Sequence, residues 1–393
     1  MNVKPFRGFL FSRELCNLGL LVCPPYDVMD DERKKYFESK HPLNFVRIVL
    51  SRGTVENASL MLKSWLDRKF ITQDDKDYLY LLKQRFNTSE ATCERYGIIS
   101  LVSIKSNIYT HEKTRESTVL DRLELIERTG FNLCPIFLIR KTEKNDSIKN
   151  FIENYSDSDS ITLLARFYDD EKVFHEFYRL KSNRLMQMLN SSNSFLVADG
   201  HHRFDAIKRA YTKYNEEFFM AYITDEDSGL FILPTHRIIR SEESLERIKN
   251  RLKDYETKKI VTINSETEKL KNIMKKENNN SCFFVYKEGN ADDNIVALKC
   301  IFKEDLHLIE LHKNILIDIF DIEYEHSLEK CVQMVKSGWA SSSFLVPPLT
   351  IQQIWKTVED GKVLPRKSTY FWPKVPSGIV LNQLENIPGF RNR

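Results

Sequence analysis

Residues 195–214 read FLVADGHHRFDAIKRAYTKY, and the interpretation of this stretch decides the fold. Phe195–Ala198 is a short apolar run of the length of a buried strand. From Arg203 to Tyr214 the period becomes helical, with Phe204, Ile207, Ala210, Tyr211 and Tyr214 on one stripe. Gly200 between them permits a tight turn. A helix that starts there has unpaired first-turn N–H groups and a partly positive end. His201, His202 and Arg203 fall in that first turn, where cations are normally unfavourable. A bound anion, such as a phosphate chain, would account for them. Asp199 is placed to cap the helix or to hold a magnesium ion beside the phosphates. The plainer alternative is an Asp-capped helix with a hydrated polar first turn.

Outward from this stretch, a helix starts at Asp30 with acidic residues in its first turn. FVRIVL (45–50) is β-branched and reads as a strand. The segment 55–69 predicts a helix that faces a core with Val55, Leu60, Leu62, Trp65 and Leu66. Strands are expected at 78–86, 96–104 and 135–140, and a helix at 118–128 closed by Gly130. Residues 218–224 and 230–240 predict a hairpin around DEDSG. Near Ser241 the texture changes, with helical patterns at 242–255 and 265–277, a polar loop at 275–280, and strands at 258–263, 282–287 and 294–302. Strands and helices mix without a βαβ rhythm, so the expected class is α+β, a mixed-sheet core with flanking helices. The expected division is a motif-bearing core at 1–240, an inserted α/β packing or lid module at 241–325, and a C-terminal segment at 326–393 that rejoins the core.

Composition narrows the chemistry. The 393 residues hold 59 Lys+Arg and 56 Asp+Glu, a net charge of +3, which is too balanced for a generic DNA-coating protein. The 12 glycines include no G-x-G pair, and the G-K dipeptide Gly361-Lys362 is followed by Val363, so neither the dinucleotide fingerprint nor the P-loop is present. The 7 cysteines contain no C-x-x-C, which points to reduced thiols and a cytoplasmic setting. Cys23 and Cys134 each lie beside a proline in apolar sequence, as buried inert thiols do. Arg7, Arg13 and Glu14 interrupt any signal-peptide apolar run, and no uncharged apolar stretch approaches the ~18 residues a membrane span needs.

Two further clusters carry polar chemistry. Tyr109–Arg115 reads YTHEKTR; position 115 is Arg, so the zinc motif H-E-x-x-H fails. Glu112 could take a proton from a substrate hydroxyl while Lys113 or Arg115 steadies charge, and His111 and Asp199 are the other catalytic candidates. The alternative is a helix start capped by Thr114, Ser117 or Thr118. In LPRKSTYFWPK (364–374), Arg366, Lys367, Ser368 and Thr369 could grip phosphate oxygens while the aromatics form a wall, or the segment is an amphipathic edge strand. PPYDV (24–28) is a rigid turn that bears an acid, with Tyr26 expected in the core. PTHR (234–237) is a strand end; His236 and Arg237 join Arg115 as candidate substrate contacts, although alone each reads as structural.

Taken in order, PPYDV (24–28), HEKT (111–114), DRLEL (121–125), ADGHHR (198–203), PTHRII (234–239) and LPRKSTYFWPK (364–374) resemble the family called domain of unknown function 1015. The D-G-H-H-R segment in turn resembles the phosphate-binding box of the ParB-type superfamily, which includes chromosome-partitioning CTPases and free L-serine kinases. That resemblance implies phosphate and metal contacts at Asp199, Gly200, His201, His202 and Arg203, with Glu112 as base. It implies ATP or ADP and Mg2+ as cofactors. The expected function is therefore a nucleotide-dependent phosphotransferase acting on a small hydroxyl-bearing metabolite such as free serine. The alternatives are a nucleotide-gated regulatory protein of the partitioning-CTPase kind and a phosphatase of a phosphorylated amino acid. The expected partners are a nucleotide and a small molecule, not a membrane and not duplex DNA; a homodimer stays open.

Overall fold

The computed structural model describes residues 2–387 apart from 52–53, 89–90, 143–145, 155–160, 193, 263–269, 271, 275–279, 289–294 and 304–305. By its contacts the chain divides into two compact units. The first takes residues 1–110, 114–231 and 373–393, and the second takes 111–113 and 232–372. Residues 232–240 and 326–372 are thus grouped with the 241–325 block.

The first unit is built on a mixed sheet of nine strands among the described residues. They are β1 (Val3–Lys4), β2 (Leu79–Asn87), β3 (Thr92–Ser103), β4 (Ile108–Tyr109), β5 (Ile136–Arg140), β6 (Ile161–Tyr168), β7 (Phe174–Leu180), β8 (Phe195–Asp199) and β9 (Phe218–Asp225). Their order is β4-β8-β5-β9-β3-β2-β7-β6, with β1 beside β3. The β4–β8 and β5–β9 pairs are parallel and the others antiparallel. The class is α+β, as the mixture of patterns predicts. Every residue of β5 and β8 is buried, which is why both are continuously apolar up to their last residues, Arg140 and Asp199, rather than alternating.

Helices of this unit cover the sheet and form a second core. They are α1 (Asp31–Lys40), α2 (Val46–Val49), α3 (Val55–Asp67), α4 (Glu116–Thr129) and α5 (His201–Tyr214). Phe204, Ile207 and Ala210 of α5 enter the core with Val119 and Ile126 of α4 and Val197 of β8. A separate cluster joins Phe45, Val46, Ile48 and Val49 to Ala58, Leu62 and Trp65 of α3.

Two expectations fail here for physical reasons. FVRIVL is not a strand: Asn44 Oδ1 accepts the Val46 N–H at 3.0 Å and starts the helical turn α2. A six-residue segment with five apolar residues, most of them buried, carries no period that separates strand from helix. The hairpin around DEDSG is absent, because β9 pairs with β3 and β5 in the large sheet. Phe219–Ile223 is wholly buried, which suits a central strand and not a hairpin arm. Leu60, assigned to the core face of α3, is 62% exposed instead.

The second unit has an antiparallel sheet of β10 (His236–Ile239), β11 (Glu256–Thr262), β12 (Ser281–Lys287), β13 (Ile295–Ile301), β14 (Ile322–Glu325) and β15 (Ser342–Leu345). Its order is β11-β13-β12-β15-β10-β14. One face packs on Leu328, Cys331, Val332 and Val335 of α6 (Leu328–Lys336). Most of the helix expected at 265–277 and of the loop at 275–280 lies outside the described residues. No described helix is long and apolar enough to cross a membrane.

Gly130 ends α4 in the left-handed region, φ 68°, where its N–H reaches Ile126 O at 2.8 Å. An alanine cannot hold that conformation without strain of ~1–2 kcal/mol. Gly130→Ala is expected to lower the unfolding free energy by about 1 kcal/mol, read as a shifted urea midpoint with an unchanged slope.

Candidate oxyanion site

β8 delivers Asp199 to the edge of the turn, and Gly200, φ 93°, is the N-cap of α5 with no side-chain cap. Asp199 therefore does not cap the helix. Glycine is required twice at position 200. Its φ excludes other residues, and a Cβ there would stand 2.9 Å from Arg203 Nη2 and 3.0 Å from Arg203 Cζ. The guanidinium thus lies directly against the Gly200 backbone.

Asp199 takes Arg203 Nη2 on one oxygen at 2.7 Å and Lys374 Nζ on the other. Burial alone would raise this carboxyl, but Lys374 and Arg203 outweigh it and hold it at about 2. Arg203 Nη1 donates to Pro135 O at 2.8 Å, and its buried Nε has no hydrogen-bond partner among the described residues. His201 is not a cation: burial drives the imidazole down to about 3 against the pull of Asp199. His202 Nε2 accepts the Arg115 backbone N–H at 3.0 Å. Thr114 Oγ1 donates to Asp205 at 2.7 Å, so the end of the HEKTR segment docks on α5. Arg115 is the N-cap of α4, and no side chain caps that helix, contrary to the capping alternative.

Arg95 and Gln84 escape sequence inspection. They face each other across β3 and β2, and Arg95 is fully buried. Arg95 Nε and Nη2 donate to Gln84 Oε1 at 3.0 and 2.5 Å, and Nη2 also reaches Pro373 O. Its Nη1 has no partner among the described residues, and none of its hydrogen bonds goes to a carboxylate. Its guanidinium lies 4.8 Å from the Phe137 ring centroid. Burial lowers its pKa, with partial relief from Tyr222 and Asp199. Gln84 Nε2 donates to Lys374 O at 3.1 Å, so the sheet holds the backbone that carries Lys374. No local motif announces a cross-strand pair. Lys374 ends LPRKSTYFWPK, in which the sequence pattern points to Arg366 and Lys367 instead.

A third wall comes from the PPYDV segment. Cys23 and Ser377 exchange backbone hydrogen bonds, and Cys134 Sγ meets Ser377 Oγ at 2.9 Å. Pro25 leads into a single turn, Tyr26–Val28. Tyr26 is half-buried, with the Arg122 guanidinium 4.2 Å from its ring centroid. A cavity of about 40 Å³ is lined by Tyr26, Arg122, Leu133, Cys134, Arg203 and Ile207. Burial raises the thiols of Cys23 and Cys134, which suits the inert role expected of them.

The remaining sequence candidates belong to the second unit. His111 is buried, and its Nε2 lies 2.8 Å from Thr369 Oγ1. Glu112 bridges to Leu364 as an isolated strand pair. Ser368 Oγ donates to Pro365 O at 2.6 Å, and Lys367 takes a left-handed turn conformation, φ 55°. Arg366 precedes that turn, partly buried. His236 Nδ1 accepts the Val346 N–H at 3.1 Å, and burial lowers the ring to about 3. Arg237 is fully buried and donates to His312 Nε2 at 3.0 Å. The hydroxyls of Ser368 and Thr369, and the rings of His236 and His312, are thus engaged within their own unit.

Among the described residues no three His, Cys, Asp or Glu side chains are grouped to hold a metal ion. Both oxygens of Asp199 are bonded to cations, so this carboxylate as placed does not suit magnesium.

The first unit is thus an α+β fold in which a strand, a glycine turn and a helix without a side-chain cap lie over buried guanidiniums. The chain belongs to a family described as protein of unknown function (DUF1015), whose model matches residues 3–307. No curated protein matches it. Among solved structures, a conserved hypothetical protein from Pyrococcus furiosus is similar at 14% identity, covering 71% of this chain and 93% of that one, TM-score 0.41. A free serine kinase in complex with AMP is similar at 12% identity, covering 73% of this chain and 91% of that one, TM-score 0.42. SbnI with a C-terminal truncation from Staphylococcus aureus is similar at 12% identity, covering 71% and 85%, TM-score 0.41.

The His201 environment gives a pH test. The unfolded imidazole binds a proton below about 6.5, which the folded one refuses until about 3, so its contribution to stability is full above that window and fades as pH falls through it. Urea unfolding of wild type and His201→Gln from pH 4 to 8 should show the wild type gaining on the variant as pH rises to ~6.5, then a constant difference. A difference that does not change with pH would contradict the neutral buried ring.

Proposed function

We propose that the first unit binds the phosphates of a nucleotide at the start of α5 and that the protein transfers a phosphoryl group from it to a small hydroxyl-bearing metabolite, free serine being the candidate acceptor. One observation carries the reading. Among the described residues, Arg95 and Arg203 are both buried guanidiniums with an idle N–H donor, and the one carboxylate hydrogen-bonded to them is Asp199, through Arg203. A buried cation without its own anion costs several kcal/mol, which a bound polyphosphate would relieve. The uncapped N–H groups of α5 add further donors for the same anion.

Phosphoryl transfer needs positioned cations more than covalent chemistry by the protein. Arg203, Lys374 and Arg95 would balance charge, and neutral His201 can donate a hydrogen bond without adding charge. Magnesium would enter on the nucleotide's own oxygens. Glu112 is the base that the motif resemblance suggests, and Glu112→Gln tests it directly.

Nucleotides are screened by thermal shift, and hits are then assayed with hydroxyl amino acids. A ligand at a hundredfold its dissociation constant adds about 2.7 kcal/mol of stability. Asp199→Ala and Arg203→Ala are each expected to abolish transfer. Arg95→Met should weaken nucleotide binding at least ~10-fold while leaving the melting temperature of the free protein unchanged or higher, because it removes an uncompensated buried charge. Full turnover in Asp199→Ala or Arg203→Ala would remove this mechanism.

A further inference from the structure

The PPYDV turn walls the site beside Arg203 and also holds a buried acidic oxygen that the phosphate contacts proposed above do not use. Asp27 sits in the turn Tyr26–Val28, fixed by Pro24 and Pro25 before it and by the Val28 N–H to Pro25 O bond of 3.3 Å. Asp27 Oδ1 is buried and has no hydrogen-bond partner among the described residues. Arg203 Nε is in the same condition. The two groups lie within electrostatic reach of each other, and the Tyr26 hydroxyl feels Asp27, Arg203, Arg122 and Asp199 together. Yet among the described residues Arg203 gives its hydrogen bonds to Pro135 O and Asp199, and none to Asp27.

An acceptor oxygen and a donor nitrogen, oppositely charged and both buried, thus remain unbonded to each other. A ligand that offers a donor to one and an acceptor to the other satisfies both. A hydroxyl poised beside a phosphoryl oxygen is such a ligand. Resting on the phosphoryl-transfer reading, we infer that Asp27 is the proton acceptor for the attacking hydroxyl, a role that Glu112 then need not fill. In the step, the acceptor O–H bond breaks and its proton passes to Asp27 Oδ1. The oxygen's electron pair forms a bond to the terminal phosphorus of the nucleoside polyphosphate. The P–O bond to the bridging oxygen breaks, and its electron pair leaves with the shortened nucleotide, facing Arg203 and Lys374. Asp27 later returns the proton to solvent.

The test uses the full chain with ATP, magnesium chloride and L-serine, or whichever nucleotide and hydroxyl acceptor give turnover. Asp27→Asn is expected to lower kcat at least ~100-fold, the scale of a lost general base. Its affinity for a non-hydrolysable analogue of that nucleotide should hold or tighten, because a carboxylate beside the phosphates has been removed. Asp27→Glu should regain part of kcat. A merely structural Asp27 would lose kcat, affinity and melting temperature together, and that result overturns the inference. So does an Asp27→Asn protein that turns over within about threefold of wild type. A wild-type chain that transfers phosphate to no hydroxyl acceptor overturns the phosphoryl-transfer reading itself, and this inference falls with it.

Discussion

Arg203 is carried into the interior of the first unit by the first turn of α5, and the surroundings are arranged around its charge. Gly200 gives up its side chain to make room for the guanidinium. Asp199 and Pro135 O hold it from the end of β8 and the start of β5. Lys374 reaches the second Asp199 oxygen from a segment whose backbone is held by Gln84 and Arg95. Breaking this pairing by removing one partner would strand a buried charge, an effect worth several kcal/mol, so fold and site are coupled at one point.

On the proposed reading, that coupling accounts for a phosphate cradle without a P-loop. With 12 glycines the chain has few positions at which backbone alone can wrap a phosphate. It places one glycine at the helix start and supplies the remaining donors from side chains fixed by the sheet. Burial keeps His201 neutral against the pull of Asp199, with His202, Lys374 and Arg203 acting in the same direction as burial.

The strand, the turn and the helix around Gly200 were legible because the period changes abruptly from a continuous apolar run to a 3.6-residue stripe. So was the mixed α+β class. FVRIVL was not legible, since its turn is started by Asn44, a residue outside the apolar run. The hairpin failed because strand pairing in a mixed sheet is set by burial across long chain separations, not by the nearest turn signal. Within the site, Asp199 to Arg203 could be read as a motif. Arg95 could not, because its meaning comes from facing Gln84 across two strands and from Pro373, 278 positions away. In the sequence Asp27 belongs to a rigid turn, and only its unbonded buried oxygen gives it another sense.

The account's central claim is that buried arginine donors wait for an anion. Side-chain guanidinium NMR of the 15N-labelled protein observes them directly. The account predicts that the Nε–H signal of Arg203, assigned by its loss in Arg203→Lys, moves and becomes slower to exchange when tripolyphosphate or nucleotide is added, with Arg95 responding at the same ligand concentration. Arginine side-chain signals that stay unchanged at ligand concentrations far above any plausible dissociation constant would contradict it.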